Sequence, residues 1–467
     1  MTTNGTEERP LPDGWTLAEL GDVLTFIGSG ITPRGGKSVY QDYGVKFLRS
    51  QNVYPGELRL EDVAFVSPEL HEKMSRTHIQ DGDVLLNITG ASIGRSAIVP
   101  KGFGAANVNQ HVCILRLPDS VVPSYLSWYL NSPHGQDWIM GTQSGVTRQG
   151  LNYGQIREMA LPLAPLPEQE RIVAEIEKQF TRLDQAEASL QRLQSNLARY
   201  KASVLKAACE GRLIPQDPAD EPAGQLLAHI LAERRAQWQA ANPGKKYKEP
   251  VGVEETAVLP DLPDGWVWAN IGHLFDVKVG ATPSRKKPEY WNGDIPWVSS
   301  GEVAFGRISK TRETITAEGL NNSSVKLNPK GTVLLAMIGE GKTRGQAAIL
   351  DIAATNNQNA AAILCADSPI MSEWVFYWLM AKYEETRHGG SGGMQPALNS
   401  ILVRAIPIAV PPLAEQERIV AEIERRLSVV TAIEQTITAN LSRAERLRQS
   451  ILHRAFTGQL VPQEGVA

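Results

Sequence analysis

The sequence predicts a mixed α/β (α+β) fold with a pseudo-two-fold internal repeat, in which two domains are joined by two long helices that form an antiparallel coiled coil. The first observation behind this prediction is a near-identical pair of segments, LPEQERIVAEIE from residue 166 and LAEQERIVAEIE from residue 413. The second is a pair of flanking motifs, LPDGW at 11–15 and 262–266 and GxLxPQ at 211–216 and 458–463. The third is that the blocks between these motifs match only weakly. Two copies of one scaffold with different surface residues can read two different targets.

Each near-identical segment begins a long amphipathic helix. Pro167 lies in the first turn and carboxylates follow it, which suits the positive end of a helix dipole. Apolar residues then recur at the 3-4 spacing of a coiled-coil seam, at Leu183, Ala186, Leu190, Leu193, Leu197, Tyr200, Val204 and Ala207, and at Val430, Ile433, Ile437, Asn440, Ala444, Leu447 and Ile451. We expect the helices to end near Gly211 and Gly458, with a length of about 65 Å each. An antiparallel pair would hold the two blocks a fixed distance apart; the alternative is that each helix packs only on its own block.

The blocks contain short β-rich runs and amphipathic helices. The runs Val45 to Leu48, Asp83 to Ile88 and Val112 to Leu117 predict strands in the first block, and Ile295 to Val298, Thr332 to Ile338 and Ala361 to Cys365 predict them in the second. Pro123 to Asn131 and Ser372 to Lys382 predict helices whose aromatic residues belong to the core. Between the halves, Gly224 to Ala240 predicts a short helix, and the basic stretch 242–250 is either a partner or phosphate contact or a solvated connector.

These features divide the chain into six segments. They are a first domain (1–165), a first coiled-coil helix (166–212), a linker with a short helix (213–261), a second domain (262–412), a second coiled-coil helix (413–458) and a C-terminal tail (459–467).

The composition is that of a folded globular protein, with 42% hydrophobic and 21% charged residues. The net charge of -4 argues against nonspecific coating of nucleic acid but leaves room for local basic grooves. Cys113, Cys209 and Cys365 lie far apart, so we expect neither a disulfide framework nor a zinc site, and a reducing compartment fits best. Because no secretion signal or membrane-spanning run is visible, we expect a soluble, cytoplasmic protein.

One segment, AMIGEGKT at 336–343, formally matches a loose phosphate-binding loop. A loop of that kind must open a helix, whereas Ala347 to Leu350 predicts a returning strand, so we favour a hairpin tip that carries Lys342, Thr343 and Arg344. No methyltransferase, hydrolase or metal-ligand motif accompanies it. We therefore expect no catalytic residue, no metal site and no cofactor in this chain.

The repeated motifs together resemble the specificity subunits of type I restriction-modification enzymes, over essentially the whole chain. The features that carry the resemblance are LPDGW at the start of each half, the helix starts PLPEQERIVAEIE and PPLAEQERIVAEIE, and the ends GRLIPQ and GQLVPQ. The resemblance implies two target-recognition domains that each read one part of a split DNA site, and a coiled coil that sets the spacer. It also implies that two methyltransferase (modification) subunits methylate adenine with S-adenosylmethionine, and that motor-nuclease (restriction) subunits cut foreign DNA with ATP and Mg²⁺.

Divergence between the blocks further predicts an asymmetric site. Two other hypotheses stay open from the residues alone. One is an ATPase that uses Gly341, Lys342 and Thr343, and the other is a coiled-coil scaffold with duplicated protein-binding domains.

The resemblance does not identify the DNA-contacting residues, because the recognition domains of the family vary. We selected loop residues whose side chains suit base edges or phosphates. They are Arg34, Lys37, Arg49, Gln51, Asn52, Arg95, Arg148 and Gln149 in the first block, and Arg285, Lys286, Lys287, Ser299, Ser300, Lys342, Thr343, Arg344 and Gln395 in the second. The pairs Asn109-Gln110 and Asn357-Gln358 are interpreted as turn or ladder residues.

Overall fold

The computed structural model describes residues 10–33, 35–142, 150–253, 258–339, 341–388 and 397–463. The chain forms two compact units: unit 1 comprises Met1–Arg192 and Ile437–Ala467, and unit 2 comprises Leu193–Thr436. Each unit therefore contains part of each long helix. Within the described ranges, no helix is long and apolar enough to cross a membrane.

Unit 1 combines a main antiparallel sheet with a smaller mixed sheet. Its strands are β1 (Thr16–Glu19), β2 (Phe26–Ser29), β3 (Val45–Leu48), β4 (Val53–Tyr54), β5 (Glu57–Leu58), β6 (Ala64–Val66), β7 (Val84–Asn87), β8 (Ser96–Ile98), β9 (Ala106–Val108), β10 (Val112–Arg116) and β11 (Ala160–Leu163). Its helices are α1 (Leu20–Val23), α2 (Pro68–Lys73), α3 (Pro123–Leu130), α4 (Pro133–Thr142), α5 (Tyr153–Arg157), the first part of α6 (Leu166–Cys209) and the last part of α13 (Leu413–Phe456). The main sheet has the order β2-β10-β7-β8, and the smaller sheet has the order β6-β3-β9 with β3 and β9 parallel.

Unit 2 repeats this arrangement and adds a fifth strand, which pairs in parallel at one edge of its main sheet. Its strands are β12 (Val267–Asn270), β13 (Asp276–Val279), β14 (Trp291–Val298), β15 (Gly306–Ile308), β16 (Glu313–Ile315), β17 (Val333–Ala336), β18 (Ala347–Leu350), β19 (Thr355–Asn356), β20 (Ala360–Leu364) and β21 (Pro407–Val410). Its helices are α7 (Ala223–Ala241), α8 (Ile271–Leu274), α9 (Ala317–Asn321), α10 (Ser372–Ala381), α11 (Tyr383–His388), α12 (Ser400–Arg404) and the first part of α13 (Leu413–Phe456). The main sheet has the order β13-β20-β17-β18-β15, and the smaller sheet has the order β16-β14-β19 with β14 and β19 parallel.

The predicted aromatic helices lie in the two cores, as expected. In unit 1, Tyr125 and Tyr129 of α3 are buried, and their hydroxyls donate to the carbonyls of Pro162 and Ala160 on β11. In unit 2, Trp374 and Trp378 of α10 are buried, and their indole N–H groups donate to carbonyls of β21. These rings therefore combine apolar burial with a satisfied polar atom, and they do not form a base-stacking platform.

The two long helices pack antiparallel in each unit. In unit 1, Arg448 near the end of α13 forms ion pairs with Asp184 (2.5 Å) and Glu187 (3.2 Å) of α6. In unit 2, Lys201 near the end of α6 forms an ion pair with Glu434 of α13 (2.8 Å). The predicted antiparallel pairing is confirmed, and the alternative that each helix packs only on its own block is wrong.

Of the residues that the 3-4 spacing predicts to be buried between the helices, every second one is buried along the middle of each helix. Leu197 and Val204 on α6 are buried, as are Val430, Ile437, Ala444 and Ile451 on α13, which recur at every seventh residue. By contrast, the intervening positions Leu193, Tyr200 and Leu447 are 40 to 45% exposed, and Asn440 is also exposed. The helix ends pack on the domain cores through a different stripe, which includes Leu205, Ala208, Leu452 and Ala455. That second set of contacts fixes the rotation of each helix and turns Leu193, Tyr200, Asn440 and Leu447 toward solvent, whereas Ala207, near the end of α6, packs on the core of unit 2.

The repeated motifs meet at one corner of unit 1. Gly458, just past the end of α13, has φ +68, and a Cβ there would lie 2.2 Å from Cγ of Pro12 in LPDGW. Gln463 of GxLxPQ donates to Glu168, the first glutamate of EQERIVAEIE (2.9 Å). The motifs therefore form the joint between a domain and the helix ends.

The same corner recurs in unit 2. Gly211 has φ +64, and a Cβ there would lie 2.3 Å from Cγ of Pro263. Trp266 of LPDGW donates from Nε1 to Oε2 of the buried Glu415 (3.0 Å). In each unit, LPDGW and the helix start come from one copy of the repeat, and GxLxPQ comes from the other.

Candidate nucleic-acid interface

Loops of unit 1 converge at one edge of its sheets, around a turn formed by Asn109, Gln110 and His111. Asn109 is 7% exposed; its backbone N–H donates to the carbonyl of Leu48, and its side-chain oxygen accepts from the N–H of His111 (3.1 Å). The carbonyl of His111 accepts from Ile88, at the start of the loop between β7 and β8. We name this set of loops (30–33, 50–52, 88–95 and 109–111) the loop edge of unit 1.

The GxTP loop joins the same edge through a close backbone approach. A Cβ on Gly30 would lie 1.5 Å from the carbonyl oxygen of Val108, so no other residue fits there without moving the backbone. The turn at 50–52 is tied to the edge by Asn87, whose side chain donates to the carbonyl of Ser50 (2.8 Å). The four loops are therefore one hydrogen-bonded frame.

Unit 2 builds the same frame from equivalent residues. Asn357 is 7% exposed; its N–H donates to the carbonyl of Val298, and its side-chain oxygen accepts from the N–H of Asn359 (3.1 Å). The carbonyl of Asn359 accepts from Met337, and a Cβ on Gly280 would lie 2.1 Å from the carbonyl oxygen of Asn356. The loop edge of unit 2 comprises 280–287, 299–302, 337–345 without 340, and 357–359.

The predicted residues of the first block have different roles at this edge. Gln51 is exposed in a 3-10 turn. Asn52 is 1% exposed and its amide is used inside the turn, because it accepts from the N–H of Arg49 and donates to the carbonyl of Arg59. Arg49 donates to the carbonyl of Asp62 (2.7 Å). Asn52 therefore shapes the turn, and we leave it out of the proposed DNA-contacting surface.

Arg95 lies beside the helices of unit 1. Its guanidinium is 4.9 Å from the ring of Tyr54, whose ring also contacts Arg59 at 3.8 Å. Both arginines line a cavity of about 900 Å³ together with Trp128 and residues of α6 and α13 such as Glu177. The acidic residues of the helices thus face this arginine pair.

Some predicted residues of the first block lie outside the described part of the chain. Arg34, Arg148 and Gln149 fall in the gaps between the described ranges, and of Lys37 only the backbone is described. Gln395 of the second block also lies outside the described residues.

Arg285 is held in place on an aromatic platform of unit 2. Its guanidinium stacks 3.6 Å from the ring centroid of Trp291 and 5.2 Å from that of Trp297, and it pairs with Glu313 through both carboxylate oxygens. The hydrogen bond to Arg285 lowers the pKa of the Glu313 carboxyl. The guanidinium of Arg285 is therefore held in one orientation at the base of the loop, and its positive charge is balanced by the carboxylate of Glu313.

Its neighbours in the loop and in the next turn differ in how they are held. Lys286 is exposed, whereas Lys287 donates to the hydroxyl of Tyr290 (2.8 Å), which raises the pKa of Lys287. Ser299 bonds to Glu302 through its N–H and hydroxyl, and Ser300 opens the 3-10 turn. Lys286 is the residue of this group whose position best suits a phosphate contact.

The hairpin prediction for the Gly-Lys-Thr segment is confirmed. β17 and β18 pair antiparallel, from Val333 with Ile349 to Leu335 with Ala347, and Lys342 lies exposed in the connection between them. Tyr383 donates to the carbonyl of Lys342 (2.6 Å) and ties the connection to α11; Thr343 and Arg344 are half-buried beside it. A strand follows this segment where a phosphate-binding loop requires a helix, so the ATPase alternative lacks the geometry that it needs.

The three cysteines are buried and form no disulfide with one another. Burial raises the pKa of Cys113, Cys209 and Cys365 to about 12, so each stays a neutral thiol. In the part of the chain that the structure describes, no group of three or more His, Cys, Asp or Glu side chains is arranged to hold a metal ion.

The prediction from sequence missed the exposed residues of the central turns. Gln110 and Gln358 are exposed, each directly after the buried asparagine that forms its turn. The interpretation of each pair as turn residues holds for the asparagines, whose side chains accept the turn-closing hydrogen bonds. The sequence signal that separates them is the repeat, because a glutamine follows the turn asparagine in both blocks although the blocks diverge elsewhere.

Comparison with known proteins identifies the family of this chain. The family described as "Type I restriction modification DNA specificity domain" matches residues 12–194 and 263–443, so it covers both halves of the repeat. The chain belongs to this family. The resemblance stated from the motifs is thereby confirmed, and the chain supplies DNA specificity to a type I restriction-modification system rather than catalysis.

Relatives of the family align over much of their length at low identity. The type I restriction enzyme EcoBI specificity subunit of Escherichia coli is 24% identical over 384 residues, which cover 77% of this chain and 70% of that protein. The StySPI specificity subunit of Salmonella potsdam is 23% identical over 469 residues, which cover 97% and 90%.

Solved structures share the fold. A chain from a structure that addresses complex assembly and conformational transition of the type I R-M system has a TM-score of 0.71 and 19% identity, with coverage of 97% of this chain and 100% of that one. The HsdS subunit from Thermoanaerobacter tengcongensis has a TM-score of 0.55 and 18% identity, with coverage of 97% and 99%.

Proposed function

We propose that this chain reads a split, asymmetric DNA site, with the loop edge of unit 1 on one half-site and the loop edge of unit 2 on the other. The observation that carries the proposal is that the two edges share one backbone frame but present different side chains. Unit 1 has His111 where unit 2 has Asn359. The loop between β17 and β18 of unit 2 carries Lys342, whereas the equivalent loop of unit 1, residues 88–95, carries no lysine. Equivalent frames with different polar groups suit two half-sites of different sequence.

The partners and cofactors in this proposal lie outside the chain. Two modification subunits would methylate adenine with S-adenosylmethionine, and restriction subunits would cleave with ATP and Mg²⁺, all in the cytoplasm. Support comes from the family and from the neighbour whose structure concerns assembly of a type I R-M system. The buried, neutral thiols are compatible with a reducing compartment.

The proposal is tested by expressing the chain with the modification subunits of its own host and mapping methylated adenines in a genome that lacks other adenine methylation. We expect one interrupted motif whose two halves differ. A palindromic motif, or no motif from a complex that assembles, would contradict the proposal.

A second measurement assigns each half of the motif to one unit. Gln51→Ala at the loop edge of unit 1 and Lys286→Ala at the loop edge of unit 2 are compared with Gln239→Ala, at an exposed residue of α7 that belongs to neither loop edge. We expect Gln51→Ala to relax or weaken recognition of one half only. Loss of both halves together from Gln51→Ala would show that the units do not read independently, whereas Lys286→Ala, at a candidate phosphate contact, should weaken binding without changing the sequence that is read.

A further inference from the structure

The two exposed turn glutamines, Gln110 and Gln358, occupy the same place in the two loop edges. Each follows a buried asparagine whose oxygen closes the turn, and each side chain is exposed. Glutamine reads bases through a carboxamide that has an accepting oxygen on one side and donating N–H groups on the other. A contact from the protein to one end of the carboxamide orients the other end away from that contact.

In unit 2 the oxygen of the glutamine is held. The hydroxyl of Thr282, in the GxTP loop, donates to Oε1 of Gln358 at 2.6 Å. Thr282 is half-buried, and its loop is fixed on the turn by the close approach of Gly280. The carboxamide of Gln358 is thereby oriented with its NH₂ group outward, where no hydrogen-bond partner lies among the described residues.

In unit 1 the nitrogen of the glutamine is held. Nε2 of Gln110 contacts Nε2 of His111 at 3.3 Å, and an amide nitrogen can only donate, so the ring nitrogen must accept. The other ring nitrogen of His111, Nδ1, forms a hydrogen bond with the hydroxyl of Thr89 at 2.6 Å, which fixes the orientation of the ring. The carboxamide of Gln110 is thereby oriented with its oxygen outward.

We propose that Gln110 and Gln358 are specificity-determining contacts of opposite polarity: Gln110 accepts a hydrogen bond from DNA, and Gln358 donates one. The inference rests on the proposed function. In the major groove, donors are the amino groups of adenine and cytosine, so the partner of Gln110 is a base. Acceptors are N7 and O6 of guanine, N7 of adenine, O4 of thymine and the phosphate oxygens, so the partner of Gln358 is one of these.

The test uses the reconstituted complex of the full chain with its modification subunits, on a duplex that carries the mapped site at one fixed salt concentration. Gln110→Ala and Gln358→Ala should each weaken binding about tenfold, the loss of one hydrogen bond to DNA. The control Gln239→Ala should bind as the unmodified complex does. If both alanine variants match the control, the glutamines contact nothing and the inference is overturned.

Glutamate substitutions test the polarity. Gln110→Glu and Gln358→Glu add the same negative charge near DNA, so their general repulsion by phosphates is matched. In Gln358→Glu, a carboxylate oxygen replaces the NH₂ group and faces the acceptor on the DNA. In Gln110→Glu, a carboxylate oxygen takes the place of the outward amide oxygen and still accepts from the DNA. We expect Gln358→Glu to bind at least about tenfold more weakly than Gln110→Glu. Equal loss at the two positions, or the reverse order, overturns the assignment of polarity.

A base partner and a phosphate partner of Gln358 are separated by modified DNA. The possible acceptors are altered one position at a time. Replacement of purines by 7-deazapurines removes N7, 6-thioguanine and 4-thiothymine replace O6 and O4 by a weakly accepting sulfur, and methylphosphonate linkages remove charged phosphate oxygens. One such substitution should abolish the difference in affinity between the unmodified complex and Gln358→Ala, and its type identifies the partner. If no substitution of any of these types does so, the proposed contact is wrong.

Failure of this inference differs from failure of the proposed function. If the unmodified complex binds no DNA sequence preferentially, the proposed function fails. If it binds its site and the glutamine variants behave as the control does, only the inference fails.

Discussion

The corner between Gly458 and Pro12 should be sensitive to a single added methyl group. Gly458→Ala imposes two costs, since the residue has φ +68 and the new Cβ would lie 2.2 Å from Cγ of Pro12. The first cost alone is about 1 kcal/mol for a left-handed alanine. The second is an overpacking cost of about 1 to 3 kcal/mol, because a proline ring on a fixed backbone moves little. We expect a loss of unfolding free energy of about 2 to 4 kcal/mol in total.

A matched variant in the same unit separates the two costs. Gly102 has φ +76, and a Cβ there meets no described atom within 4 Å, so Gly102→Ala should cost only about 1 kcal/mol. The assay is thermal and urea unfolding of the full chain, where each kcal/mol corresponds to roughly 2 to 4 °C in Tm for a domain of roughly 200 residues. Adding Pro12→Ala to Gly458→Ala should recover about 1 kcal/mol or more in a double-mutant cycle. Equal destabilisation by Gly458→Ala and Gly102→Ala, or no recovery in the cycle, would refute the reasoning.

Three further predictions concern buried or exposed polar groups. Trp266→Phe should lower the free energy of unfolding by about 1 to 3 kcal/mol more than Trp15→Phe does. The reason is that Nε1 of Trp266 donates to buried Glu415, whereas Nε1 of Trp15 is buried without a partner among the described residues. Equal losses in urea unfolding would contradict this prediction. Burial raises the pKa of Glu415, so ionisation of this carboxyl destabilises the folded state. As the pH rises above about 4, the unmodified chain should therefore lose stability relative to Glu415→Gln. Parallel curves of stability against pH for the two proteins from pH 4 to 7 would contradict this prediction. Lys286→Ala should reduce the slope of log affinity against log salt by about 1 in a DNA titration, and an unchanged slope would remove Lys286 from the phosphate contacts.

Elements with a strong local pattern could be predicted from the sequence to within a few residues. β3 was predicted at the bounds that the structure has, and α3 and α10 differ from the predicted helices by one residue at the C-terminal end. β14 is longer than predicted, because it begins at Trp291 and contains a register shift between Trp291 and Ile295. A register shift interrupts the alternation of faces, so the pattern shows only the regular part of the strand. The division into domains stays a prediction.

The candidate site was less predictable because loop residues were chosen by side-chain chemistry alone. Chemistry cannot distinguish Asn52 from Gln51, although the first is 1% exposed and the second is exposed. The repeat carries a further signal, namely a polar residue kept at one position of both divergent blocks. Such a residue cannot by itself discriminate two different half-sites, so the difference must come from its neighbours. Gln110 and Gln358 satisfy that condition, and the structure supplies the difference through Thr282 in one unit and His111 in the other. Specificity at this point would therefore depend on the neighbour that orients the glutamine, so exchanging those neighbours should change the base that is read even though the glutamines stay the same.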